Sequence, residues 1–316
     1  MDDRRLLSRL PSETRTRWCI VVADAAGPKW PPSAGINAQM TPVQYCSLVE
    51  PTTMIQKALH RAGRISHRMA TLVTAAEVHR PHWQQALWFT RAEHRFVSHL
   101  PGWSWLTTAA AVLSIAARSP SSLITVMPAR CYVEDEWILT VALHRVLSAP
   151  SLLIDGIVTL GISGAEPGID EDYLVLRTAD HRPTIAVAYT ARRPVDRIAR
   201  QFVQRGALVA TGIYIASAST LAAHLFRHWP TLTNSLVRYL DQTYARGEEI
   251  RIPAALAHEA LGEVPPRIRD RPSRLNLRAL PVAHCGWSSL RSAQAIERIA
   301  APQPTQRRRA ARRVSM

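Results

Sequence analysis

A strand that runs straight into a loop of small residues is where an α/β protein holds phosphate, because free backbone N–H groups and a helix N-terminus converge there. Trp18 to Ala23 (WCIVVA) followed by DAAGPKWPP has that layout, with Gly27 as its one glycine. An ordinary tight turn uses a single glycine too, so the loop alone does not decide between the two. Cationic chemistry is plentiful: Lys and Arg number 39 against 24 Asp and Glu, a formal charge of +15, and Lys29 and Lys57 are the only lysines. Arginine suits phosphate through its bidentate fork, although the base composition of the coding DNA also produces such an excess. Glu134, Asp135 and Glu136 precede an apolar helical pattern and complement a helix dipole rather than forming a catalytic pair.

The elements that must position these groups are legible as apolar runs. Short β-branched segments, Trp18 to Ala23, Met69 to Ala75, Ser122 to Met127, Ile157 to Ile162 and Thr184 to Tyr189, alternate with helical patterns at Thr53 to Arg64, Thr107 to Arg118, Glu134 to Leu147 and Pro194 to Arg205. A strand-like LVATGIYIAS follows Gly206, then helical stretches Ser219 to His228 and Leu232 to Arg246, a Pro- and Arg-rich segment Pro265 to Pro272, and a last strand at Arg278 to Ala283. This alternation predicts an α/β fold: a Rossmann-like mixed, mainly parallel sheet flanked by helices. One large domain over residues 18–300 is expected, with an N-terminal extension 1–17 and a basic, disordered tail 301–316.

At 316 residues and 47% hydrophobic, the chain can bury a full core and is neither fibrous nor disordered. Cys19, Cys46, Cys131 and Cys285 lie far apart with no CxxC spacing, which argues against a zinc ribbon or a disulfide framework and fits a reducing cytoplasm. The N-terminus lacks an apolar core of signal length, and the uncharged stretch Ala207 to Phe226 reads as a buried strand and turn rather than a membrane span. Five arginines between Arg307 and Arg313 form a solvated tail, a weaker candidate for nucleic-acid binding.

The order of segments resembles the mannose-1-phosphate guanylyltransferases, a family of sugar-nucleotide pyrophosphorylases. Their opening, approximately L-A-G-G-x-G-T-R-L-x-P, is similar to the stretch from Ala23 to Pro32; TTMIQKALHRAGRI stands in the place of T-L-L-Q-x-T-L-x-R-A. TLVTAAEVHRPHW resembles the second strand and its V-T-x-x-x-H-R-x-x-W, and SSLITVMPARCYVEDEW the strand ending in P-A/S-D-H. GISGAEPGIDEDYLVL, ARRPVDRIARQFVQRGALVATGIYIAS and LPVAHCGWSSLRS resemble, in turn, G-I-x-P-x-x-P-x-x-x-Y-G-Y/W-I, the E-K-P helix leading to W-N-S/T-G, and L-P-V-x-x-x-G-W-S-D-L-G. The match runs from Trp18 to about Ser292.

The resemblance implies a reaction in which a sugar phosphate oxygen attacks the α-phosphorus of GTP and pyrophosphate leaves, giving GDP-mannose. Catalysis is then positioning and charge neutralisation by loop, cations and Mg²⁺. It also implies the residues. Lys29 stands at the arginine of G-T-R and Arg193 at the lysine of E-K-P, as the catalytic cations; Gly27, Lys29 and Gly212 face nucleotide or sugar phosphate. Several positions depart. Asp24 and Ala25 replace loop glycines, and Pro28 has no N–H to offer. A carboxylate at Asp24, if about 4 Å from a phosphate, would repel it by roughly 4 kcal/mol at an effective dielectric near 20. Val43, Ala210, Asp172 and Arg192 replace the lysine of P-K-Q, the Asn of W-N-S/T-G, the Gly of Y-G-Y/W and the Glu of E-K-P.

Both metal-binding aspartates are missing: Arg130 stands at the first and Ser289 at the second. Mg²⁺ is expected of the family, but a hard cation here would lose two carboxylates and meet a guanidinium. The expectation is therefore impaired or absent turnover. The alternative is a non-catalytic module of the same fold that binds a phosphorylated ligand. Arg130 could supply fixed positive charge in place of the metal. The resemblance also brings Cys131, His284 and Cys285 to one rim as soft-metal ligands, against the simpler reading of two buried thiols and a surface histidine. An open cleft flanked by Arg130 and Ser289 favours nucleotide binding; one filled by Trp30 or Arg130 opposes it. The expected partners are a nucleotide or sugar phosphate, without membrane, with nucleic acid kept only as the weaker alternative through the tail; oligomeric state is left open.

Overall fold

The β-branched runs lie side by side in a computed structural model that describes residues 16–30, 40–99, 101–153, 156–166, 168, 170–177, 182–244, 246–263 and 277–301. The proposed N-terminal extension, the basic tail and the Pro/Arg-rich segment fall wholly or almost wholly outside these residues. In chain order the elements are β1 (Arg17–Val22), β2 (Lys29–Trp30), β3 (Thr41–Pro42), α1 (Met54–Gly63), β4 (Thr71–Ala76), α2 (Arg80–Ala86), β5 (Arg95–Ser98), α3 (Ser104–Arg118), β6 (Leu123–Pro128) and α4 (Glu136–Leu147). There follow β7 (Ile157–Ile162), β8 (Asp172–Leu176), β9 (Ile185–Arg192), α5 (Asp196–Gln204), β10 (Leu208–Ser217), α6 (Ala218–His228), α7 (Pro230–Tyr244), β11 (Ile250–Ile252), α8 (Ala254–Glu263), β12 (Leu277–Val282) and α9 (Ala293–Ala300).

Ten strands form one mixed sheet in the order β11-β5-β4-β1-β6-β10-β7-β12-β9-β8, and β2 pairs with β3 in a separate ribbon. The pairings from β11 through β6 are parallel, as is β7 with β12; β10 runs antiparallel to β6 and β7 on either side of it. The sheet is thus α/β and mixed, with its parallel part concentrated around β1.

Alternation along β1 shows why its residues are so apolar. Cys19 and Val21 join a core under α1 and α4, with Ile55, Ala58, Leu139 and Leu143. Ile20 joins the opposite core under α3, α6 and α7, with Leu113, Ala222 and Leu236. A strand covered on both faces has no polar side, so period-2 alternation disappears into continuous hydrophobicity. Each such fully buried Leu or Ile contributes about 1.5–3 kcal/mol. The helix starts are capped by side chains. Thr53 and Gln56 form a capping box at α1, and Asp135 caps α4 by accepting from the N–H groups of Trp137 and Ile138.

Chain direction fixes the site. From β1 the chain moves outward to β4 and β5 and then returns to β6 on the other side of β1, so the loops leaving β1 and β6 diverge and open a crevice at their carboxyl ends.

Candidate functional site

Val22 pairs with Pro128, so β1 and β6 end level and their exit loops begin side by side. The β1 loop is tied down by its carbonyls: Gln44 Nε2 and the Tyr45 hydroxyl both donate to Ala23 O, at 3.0 and 3.1 Å. The N–H groups of Ala25, Ala26 and Gly27 find no acceptor among the described residues. Ala26 and Gly27 are exposed. This half of a phosphate cradle is present.

Asp24 corrects the sequence reading. It does not face a triphosphate: it is fully buried, accepting from Thr74 Oγ1 at 2.7 Å and Thr107 Oγ1 at 2.5 Å. Burial pushes its carboxyl above the ordinary range against these hydrogen bonds. Its backbone carbonyl accepts from Gly102 N, which ties the loop to the start of α3.

Over the loop lies Arg130. A Cβ built on Gly27 would stand 2.7 Å from Arg130 Nη1 and 2.9 Å from its Cδ, so the side chain rests directly on the glycine. Of the two side chains whose entry is expected to oppose nucleotide binding, Trp30 stays out, packing with Val43, Met54 and Leu290, whereas Arg130 does lie over the loop. Arg130 makes no hydrogen bond or ion pair among the described residues. Burial, then the charges of Arg291 and Arg193, pull its pKa down to about 10.

Ser289 reaches the same place through a two-residue bridge. Tyr132 and Ser288 exchange N–H···O bonds of 2.9 Å, pinning the loop after β6 to the loop after β12. Ser289 then donates from N and Oγ to one oxygen of Glu171, at 3.1 and 2.9 Å, while the other oxygen of Glu171 is buried without a partner. Burial holds the Glu171 carboxyl above its usual range. Beside it Arg291 donates to Asp172 at 2.6 Å. Among the described residues only Arg193 and Leu290 are non-glycines at positive φ, 38° and 49°, and both adjoin this site.

Gly212 lies against β6: a Cβ there would come 3.8 Å from Pro128, and its φ of 70° forms the bulge in β10 between Ala210 and Tyr214. Lys29 goes elsewhere. It is exposed on the β2–β3 ribbon, where burial and then neighbouring positive charge, Lys29 included, keep His79 and His82 below the ordinary imidazole range. The structure therefore gathers Gly27, Arg130, Ser289, Arg193 and Gly212 around the β1–β6 crevice and puts Lys29 on the ribbon.

Glu171 and Arg291 were missed by the sequence reading. The available signal was an acid appearing at the first Tyr of Y-G-Y/W while the acid of W-S-D-L-G disappeared. The acidic run also divides: only Asp135 caps the helix, and Glu136 forks onto buried Arg61 at 2.9 and 2.6 Å. Arg61 donates in turn to Cys131 Sγ at 3.4 Å. Cys131 and Cys285 are buried thiols, with Cys285 pushed up to about 11, whereas His284 is exposed. That arrangement does not make a soft-metal site.

Nor do the residues fit Mg²⁺. A guanidinium has no lone pair to give, the Ser289 hydroxyl is a neutral oxygen where a hard cation asks for a carboxylate, and burial works against the charged form of Glu171. Among the described residues, no group of three or more His, Cys, Asp or Glu is placed to hold a metal ion. No described helix is long and apolar enough to cross a membrane.

The sheet order, the crevice and the two covering helix layers define a nucleotide-sugar transferase-type fold. The chain is similar to a mannose-1-phosphate geranyltransferase from Thermus thermophilus, with TM-score 0.65 and 19% identity over 92% of this chain and 80% of that one. It is also similar to a mannose-6-phosphate isomerase from Helicobacter pylori, with TM-score 0.63 and 16% identity over 86% of this chain and 99% of that one. No family model and no curated protein matches the chain.

Proposed function

We propose that this chain is a sugar-nucleotidyltransferase-fold protein of the mannose-1-phosphate guanylyltransferase type, cytoplasmic, that binds a nucleotide or sugar phosphate at the β1–β6 crevice and forms GDP-mannose slowly or not at all. The observation that carries this reading is the pair of substitutions at the crevice. Arg130 lies on Gly27 and Ser289 is locked to Glu171, where the resemblance puts the two metal carboxylates. Nucleotidyl transfer of this kind leans on a cation for several kcal/mol of charge neutralisation, and each 1.36 kcal/mol is about tenfold in rate. Ligand binding asks for less. The loop N–H groups of Ala25, Ala26 and Gly27 remain without acceptors among the described residues, and the surrounding charge is positive.

The test is pyrophosphate release from GTP and mannose 1-phosphate with Mg²⁺, beside calorimetry of GTP, GDP-mannose and mannose 1-phosphate. Binding with little or no release is expected. Robust Mg²⁺-dependent release contradicts the proposal, and so does silence from every ligand.

A further inference from the structure

We propose that Arg130 and Arg193, backed by Arg291, form a clamp that holds the diphosphate group of the ligand without a divalent cation. This rests on the ligand-binding reading above and adds the chemistry of its recognition.

Arg130 could be a plug that closes the loop or a contact that waits for an anion. A plug would spend its N–H groups on loop carbonyls. Arg130 donates to none among the described residues, and the loop carbonyl of Ala23 is already taken by Gln44 and Tyr45. Its guanidinium thus lies on Gly27 with its hydrogen-bonding capacity unspent, beside loop N–H groups that also lack acceptors. Backbone and side-chain donors that lie against one another without acceptors are what phosphate oxygens satisfy.

The charges around Arg130 make the same point. Arg193 and Arg291 lie close enough for their charge to act on it, and a folded protein brings like charges together only at a cost. Arg291 is oriented by Asp172, whereas neither Arg130 nor Arg193 forms an ion pair or a side-chain hydrogen bond with an acid among the described residues. Glu171 also acts on Arg130 through its charge, but it forms no ion pair with it: one of its oxygens is held by Ser289 and burial works against its charged form. Two guanidiniums free of ion pairs match the two negative charges of a diphosphate diester. Arg193 is also at φ 38°, a conformation a non-glycine residue keeps only when the surroundings enforce it.

The experiment is calorimetry of inorganic pyrophosphate and of GDP-mannose, each in EDTA and in Mg²⁺, on the full chain and on Arg130→Ala, Arg130→Lys and Arg193→Ala. Arg227→Ala, an exposed change on α6, is the control, and circular dichroism checks that each variant folds. Binding in EDTA is expected, at least tenfold weaker in Arg130→Ala and Arg193→Ala, intermediate in Arg130→Lys, which keeps the charge and loses the fork, and unchanged in Arg227→Ala. Binding that requires Mg²⁺, or that Arg130→Ala leaves intact, overturns the clamp while keeping the ligand-binding reading. Failure of both probes and of GTP in both buffers overturns the two together.

Discussion

Arg130 and Gly27, from the exit loops of two neighbouring parallel strands, are in contact: the arginine side chain lies where any β-carbon at position 27 would have to go. The smallest residue in the loop and the long side chain over it therefore depend on each other.

Gly27→Ala separates them. The atoms met first belong to a flexible side chain, so Arg130 swings away rather than the backbone breaking. Unfolding free energy is expected to change by less than about 1 kcal/mol, with a loss of pyrophosphate affinity comparable to that of Arg130→Ala. Urea denaturation and calorimetry on the same preparation check both halves. Unchanged affinity would separate the loop from the clamp.

Asp24→Asn tests the buried carboxyl through pH. Its folded pKa is raised above the ordinary value of 3.8, so its contribution to stability is fully present below 3.8 and is lost as pH rises through the folded pKa. The asparagine variant lacks that loss. The stability of the Asp24→Asn protein relative to the parent should therefore increase on going from acidic to neutral pH, at up to about 1.4 kcal/mol per pH interval of one. Urea midpoints in acetate and in neutral phosphate give the difference, and a pH-independent one would mean that Asp24 titrates normally.

Gly161→Ala asks about packing in β7, where Leu208 Cβ would stand 2.7 Å from the new methyl and Leu174 Cδ1 3.0 Å. A Cβ cannot rotate away. Overpacking of about 1–3 kcal/mol is expected from chemical denaturation.

Glu136→Ala leaves the buried Arg61 guanidinium without its fork of two hydrogen bonds. A loss of about 2–3 kcal/mol is expected, because the charge stays behind unpaired. Arg61→Met, which removes the charge itself, should cost less than Glu136→Ala; the reverse order in denaturation curves would refute this account.

Much of the scaffold was legible in the residues. Trp18 to Ala23, Ile157 to Ile162 and the run before Arg130 match β1, β7 and β6 within one residue, because strands buried on both faces have nowhere to place a polar side chain. Pro194 and Gly206 bracket α5 as punctuation predicts. Four-residue β5 and three-residue β11 escaped, since RFVS and IRI have too few residues to show a period. The two pair with each other across a long separation in sequence.

The crevice was legible only in part. The family resemblance, not the residues' own spacing, singled out Gly27, Arg130 and Ser289, and chain reversal around β1 brings them together. It could not orient Asp24, whose acidity looked like a clash with phosphate until Thr74 and Thr107 were found facing it from other elements. Nor could it find Glu171, which meets Ser289 across 118 positions of chain.

The buried Asp24 ties the loop's sequence to the core beneath it. Glycine at that one position would strip the Thr74 and Thr107 hydroxyls of their shared acceptor inside the core and open a void beside them. The Thr74 hydroxyl left unpaired costs about 1–3 kcal/mol, whereas Thr107 keeps the Ser104 carbonyl at 3.2 Å. A glycine-rich phosphate loop is thus not one substitution away: glycine at position 24 gives a less stable chain unless Thr74 changes along with Asp24.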